Sequence, residues 1–152
     1  MSILTKNGIH YLSGEINQDS IEDAIVFILE ANLEKKLEQL TLIINSFGGY
    51  VHQAFALVDV IFGSSIPIST LGLGAIGSCG LVIFMSGQKG KRILTPNTQI
   101  LSHQWSGQAQ GKQHELISTI KRNDLVQENV KALYAMHRII RKDYFERIIA
   151  SS

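Results

Sequence analysis

Residues 40–61 read LTLIINSFGGYVHQAFALVDVI. Leu40–Ile44 is an apolar run broken only by Thr41, the pattern of a strand covered on both faces. It ends in Asn45-Ser46-Phe47-Gly48-Gly49. Val51, Ala54, Phe55, Val58 and Ile61 then recur at spacings of three and four, which predicts a helix. A strand, a glycine turn and a helix in immediate succession are the repeating unit of an α/β protein.

The same alternation continues on both sides. Upstream, Ile9–Leu12 is a short strand candidate closed by the Ser13-Gly14 turn signal. Ser20 and Asp23 resemble a capping box with Asp in place of Glu, and Ile21, Ala24, Ile25, Ile28 and Leu29 share one helical face behind it. Downstream, Pro67–Leu71 reads as the next strand and Gly72 to Gly80 as a glycine-rich turn. Leu81–Met85 is apolar throughout, so it is a buried helix or strand. Arg92–Thr95 and Gln99–Leu101 are two short strands joined by the Pro96-Asn97 turn signal. From about Lys112 to Arg138 there is neither Gly nor Pro. Leu116, Ile117, Ile120, Val126, Val130, Leu133 and Tyr134 keep helical spacing there, so a long amphipathic helix is expected over about 112–138. No linker or repeat divides the chain, and residues 1–152 are expected to form a single domain.

Composition narrows the function classes. The chain has 152 residues, 45% hydrophobic and 18% charged, with 14 basic and 13 acidic side chains. A net charge of +1 gives no basic face for nucleic acid. The single cysteine, Cys79, excludes an internal disulfide framework, and no Cys/His cluster has metal-ligand spacing. His52, His114 and His137 fall on predicted helices and read as surface polar positions. No stretch approaches the roughly 18 apolar residues of a membrane span. Met1–His10 lacks the apolar core of a signal peptide. The expected setting is therefore a reducing cytoplasm, bacterial or phage.

Two glycine turns that follow strands are the natural places for a site. Gly72-x-Gly74-x-x-Gly77 matches a dinucleotide fingerprint literally, but no acidic residue follows at the required distance, so that reading is weak. Gly77-Ser78-Cys79-Gly80 instead sets a hydroxyl among small residues at the start of an apolar segment. A helix beginning there would offer unpaired N–H groups and a positive dipole end, suited to an oxyanion. A serine nucleophile needs a base, and His103, just beyond the Gln99–Leu101 strand, is the candidate. Local chemistry alone leaves two readings of Ser78: nucleophile, or helix cap. Cys79 reads better as a small buried hydrophobe than as a nucleophile.

The segments GIHYLSGEI (8–16), LIINSFGGYV (42–51) and GLGAIGSCGLVIFMSGQKGKRILTPNTQILSHQWSGQAQG (72–111) closely resemble the ClpP-type caseinolytic proteases, in motif, spacing and order. The resemblance runs from about Gly8 to at least His137. It implies a crotonase-like superhelix of repeated ββα units with the long helix as an oligomerisation handle. It further implies heptameric rings stacked as a tetradecamer, with an AAA+ unfoldase and related ring subunits as partners. Unfolded polypeptides are the implied substrates. No cofactor is implied, since ATP is used by the unfoldase.

By position, Ser78 matches the family's nucleophile and His103 its general base. Gly49 and Cys79 match the residues whose backbone N–H groups form the oxyanion hole. Gly107, Gln108, Ala109, Gln110 and Gly111 match the strand that pairs with extended substrate, a backbone contact that tolerates many sequences. Some positions depart from the pattern. Phe47 and Trp105 stand where proline is usual, and either narrow the substrate cleft or pack in the core or an interface. Gly77-Ser78-Cys79-Gly80 replaces the commoner Ala-Ser-Met-Gly. The family's triad aspartate is expected beyond the long helix, about where the sequence reaches Ser152. Asp143 is a possible substitute, although it, like Glu146, falls too early in the register, and Asp124 lies inside the handle helix. The short stretch ahead of Gly8 is less than the family uses to engage an unfoldase. The expected function is thus a serine endopeptidase subunit. The alternative is a non-catalytic ring subunit, and an acyl-CoA enzyme of the crotonase type is a distant third.

Overall fold

The computed structural model describes residues 2–102, 124–125 and 127–132. The chain divides into two compact units, residues 1–102 and 103–152. In the second, residues 124–125 and 127–132 are helical, inside the span where the sequence predicts a long helix.

In the first unit a single-turn helix α1 (Ile3–Lys6) leads into β1 (Ile9–Ile16), α2 (Gln18–Glu34), β2 (Leu40–Gly49) and α3 (Val51–Gly63). These are followed by β3 (Ile68–Gly77), α4 (Cys79–Ser86), β4 (Arg92–Leu94) and β5 (Gln99–Leu101). The strands run in the order β1-β2-β3-β4, with β5 also on β3, and every pairing is parallel. The mixed α/β class expected from the alternation is the one observed.

Leu12, Ile16, Leu40, Leu42 and Ile44 are each at most 1% exposed. They share the sheet's interior with Ile21, Ala24 and Ile28 of α2 and with Ala54, Leu57 and Val58 of α3. Helix α4 is buried at every residue because it packs against α3, β2 and β3 at once, which is why its sequence carries no polar face. The hydroxyls buried in and against it are satisfied. Thr70 Oγ1 donates to Phe84 O at 2.8 Å and Ser86 Oγ to Ile83 O at 2.6 Å.

Several local expectations are corrected. β1 does not close at Ser13-Gly14. It continues to Ile16 through a register shift against β2 between Ser13 and Glu15, where Gly14 takes φ +81° in the manner of a bulge. The cap of α2 is Asn17 rather than Ser20. The Asn17 side chain accepts the Ser20 N–H at 3.0 Å, and Ser20 Oγ accepts the Asn17 N–H at 3.1 Å. That reciprocal box starts the helix three residues earlier than expected. The buried face also differs from the predicted one: Phe27 and Ala31 lie inward, Ile25 is half-buried and Leu29 is 50% exposed. β2 alternates between buried positions and ones that are half-buried up to Asn45 and exposed at Phe47 and Gly49, so one of its faces is covered fully and the other in part. Gly72–Gly77 is strand, not turn. Leu81–Met85 is helical, as part of α4. β4 and β5 are not partners of each other, and each extends β3 at a different level.

His10 on β1 stacks against Phe27 of α2, with centroids 5.4 Å apart and planes at 27°. Burial lowers its pKa, and the nearby Asp23 carboxylate pulls it up less strongly. The unfolded chain protonates this group near about pH 6.5, the folded chain only at lower pH, so protons favour the unfolded state. Stability is therefore complete above that value and declines as pH falls through the lowered folded pKa. Thermal melts from neutral to about pH 5 are expected to show a steeper fall for wild type than for His10→Gln. Equal slopes would refute the assignment.

Candidate active site

β3 passes into α4 through one residue. Ser78 sits at φ 49°, ψ −120°, a region that side chains other than glycine enter at a cost of about 1–3 kcal/mol. It occupies the N-cap position, yet its side chain makes no capping hydrogen bond. The helix-cap reading of the hydroxyl is thus not what the fold realises. The turn is held by the backbone instead. Ser78 N–H donates to Leu101 O at 2.9 Å, and Ser78 O accepts Leu81 N–H at 3.0 Å and Val82 N–H at 3.3 Å. As the first residues of α4, Cys79 and Gly80 have N–H groups with no acceptor inside the helix, at its positive dipole end.

The end of β2 lies directly against this turn. A Cβ on Gly48 would sit 2.7 Å from Ser78 Cβ and 3.1 Å from Cys79 N. One on Gly77 would sit 2.9 Å from Phe47 O, and one on Gly80 2.8 Å from Ser46 O. A Cβ on Gly49 would run into the Ile16 carbonyl. Two strand ends and a helix start approach this closely only because those four positions lack side chains. The sequence marks both glycine clusters, but nothing in it says that they touch.

Small side chains complete the junction. Ser46, 2% exposed, donates to Gly14 O at 2.5 Å and accepts Gly48 N–H at 3.0 Å. Asn45 bridges the register shift between β2 and β3 by accepting Ala75 N–H at 3.1 Å. Sequence reasoning overlooked both residues, and the only available signal was a pair of small polar residues between an apolar strand and a glycine pair. Cys79 is 3% exposed, and its Sγ donates to Gly49 O at 3.4 Å. Burial pushes its thiol pKa up, against weaker opposing pulls from the Gly49 backbone and the Ser78 side chain. The thiol is therefore protonated at neutral pH and a poor nucleophile.

The dinucleotide reading loses ground on the same geometry. Gly72-x-Gly74-x-x-Gly77 lies within β3 rather than at a strand-to-helix turn, so it builds no phosphate cradle. Among the described residues no group of His, Cys, Asp or Glu is placed to hold a metal ion, and no helix is long and apolar enough to cross a membrane. Phe47 is 68% exposed, which removes the core-packing reading for it. His52 is exposed on α3 and meets Tyr50 at 5.9 Å. His103, Trp105, Gly107, Gln108, Ala109, Gln110, Gly111, His114, His137, Asp143 and Glu146 lie outside the described residues.

The sequence profile of the Clp protease family matches residues 1–150. The chain belongs to the Clp protease family. The match spans the glycine pair of β2 and the β3–α4 turn together, so the Clp protease resemblance rests on nearly the whole chain rather than one motif. It makes this a Clp-type protease at the level of the family, and it gives the strained serine turn a chemical context.

Proposed function

We propose that the chain is a serine endopeptidase subunit of a Clp-type compartmentalised protease. The observation that carries this is Ser78, a strained serine at a strand-to-helix turn whose hydroxyl does not cap its helix. Strain of that kind persists where the surroundings enforce it and concentrates at functional sites.

Ser78 Oγ attacks the scissile carbonyl carbon while His103 takes its proton. The C–N bond then breaks, and the amine leaves with the proton returned by His103. Water, activated by the same base, hydrolyses the Ser78 ester and frees the acid. The N–H groups of Gly49 and Cys79 receive the oxyanion, a contribution worth about 10²–10³ in kcat per donor. Residues 107–111 pair with extended substrate, and Asp143 is a candidate to orient His103. The assembly is a stack of heptameric rings built through a handle helix on a crotonase-like superhelix. It is cytoplasmic and fed unfolded polypeptide by an AAA+ unfoldase, which consumes the ATP; the subunit itself needs no cofactor.

A fluorophosphonate probe tests the reading on protein whose ring assembly is verified by sedimentation. Peptide mapping is expected to place the adduct on Ser78 and none on Cys79. An assembled ring that takes no label would overturn the proposal and establish the non-catalytic subunit in its place.

A further inference from the structure

The proposed oxyanion donor at Gly49 lies in a strap of two adjacent glycines, the most flexible backbone available. An electrostatic donor is effective only when it is held in place before the charge develops. Among the described residues two side chains serve as anchors for that purpose, one at each end of the strap. At the leading end, the buried Ser46 hydroxyl accepts Gly48 N–H at 3.0 Å and donates to Gly14 O at 2.5 Å. It thereby ties the strap to the bulge of β1. At the trailing end, Cys79 Sγ donates to Gly49 O at 3.4 Å, and Tyr50 N–H donates to Ile16 O at 2.8 Å. The raised thiol pKa of Cys79 keeps the proton this contact needs.

We propose that Ser46 and Cys79 are positioning residues, which hold the Gly48–Gly49 strap against the Ser78 turn so that the Gly49 N–H meets the oxyanion. The inference rests on the reading of Ser78 as nucleophile. Neither side chain touches substrate. Both fix how far the donor stands from the reacting carbonyl, where a misplacement of about 1 Å costs about 10²-fold.

The test compares wild type, Ser46→Ala and Ser86→Ala on a fluorogenic peptide and on a peptide boronate, which mimics the tetrahedral intermediate. Ser86 is an equally buried serine whose hydroxyl, among the described residues, donates to the Ile83 carbonyl of its own helix, so its loss reports stability alone. Ser46→Ala is expected to lower kcat by about tenfold to a hundredfold. KM should stay within about twofold and boronate affinity should weaken in parallel with kcat, because only transition-state contacts are lost. Ser86→Ala keeps wild-type kcat. Should Ser46→Ala not fold, Cys79→Ala removes only the other anchor and is expected to lower kcat by about threefold to tenfold. A wild type that hydrolyses peptide, beside a folded anchor variant with unchanged kcat and boronate affinity, overturns this inference and leaves the peptidase intact. A wild type that neither hydrolyses nor takes a fluorophosphonate label overturns both.

Discussion

Peptide turnover is expected to fall by about 10⁴-fold or more in Ser78→Ala, with ring assembly and melting temperature close to wild type. On the reading of Ser78 as nucleophile, the attacking hydroxyl is removed while the proposed backbone donors and any substrate pairing remain. Alanine keeps the Cβ, so the φ of 49° stays unfavourable and no stability is recovered. Ser78→Gly gives the decisive contrast. Its turnover should be equally low, but glycine adopts positive φ without strain. Relief of about 1–3 kcal/mol is set against a greater entropic cost of ordering glycine of about 0.5–1 kcal/mol. A net stabilisation of about 1 kcal/mol remains. Denaturant melts of the two variants read that difference directly. An active Ser78→Ala would place the nucleophile elsewhere, and a Ser78→Gly no more stable than Ser78→Ala would show that the turn stores no strain.

The second large effect is expected at Gly48. Alanine there carries two penalties, a φ of +108° and a Cβ 2.7 Å from that of Ser78, with Gly77 O at 3.0 Å. The neighbours are backbone or the first atom of a side chain, so relief requires moving a strand end. Overpacking and strain together should cost about 3 kcal/mol, and the displaced turn should lower kcat/KM by at least about 10²-fold. Gly90→Ala is the control. Its φ is +84°, but a Cβ there meets nothing within 4 Å. It is expected to cost about 1–2 kcal/mol from conformation alone, with turnover unchanged. If the two variants lose equal stability, the contact between β2 and the Ser78 turn is looser than the structure has it.

The elements legible from local pattern are those with a strong period or a hard stop. Of the α3 face predicted by spacing, Ala54, Val58 and Ile61 are buried, Val51 and Phe55 are half-buried, and Leu57, outside that prediction, is buried as well. Leu81–Met85 was ambiguous because a uniformly apolar run has no period to read. Packing on three sides makes it a helix. The Gly72–Gly77 stretch reads as a turn because glycine usually breaks strands, yet β3 continues through it and changes partner there from β4 to β5. Gly72 O accepts Thr95 N–H at 3.1 Å and Thr98 Oγ1 at 2.8 Å at that crease, contacts no window of local sequence contains.

By itself, the sequence determined the α/β class, the order of the main strands and helices, the family, and the position of Ser78 at the start of an apolar segment. The class, the order and the place of Ser78 follow from residue size, polarity and spacing along the chain, and the family from the resemblance of its motifs. Only the tertiary structure decided which strands are neighbours, that Ser46 and the Gly48–Gly49 strap abut a serine some thirty residues later, and that this serine's hydroxyl is not its helix's cap. A strand's partners are chosen by packing between segments distant in the chain. Backbone strain is likewise a property of the assembled turn, and neither leaves a mark in local sequence.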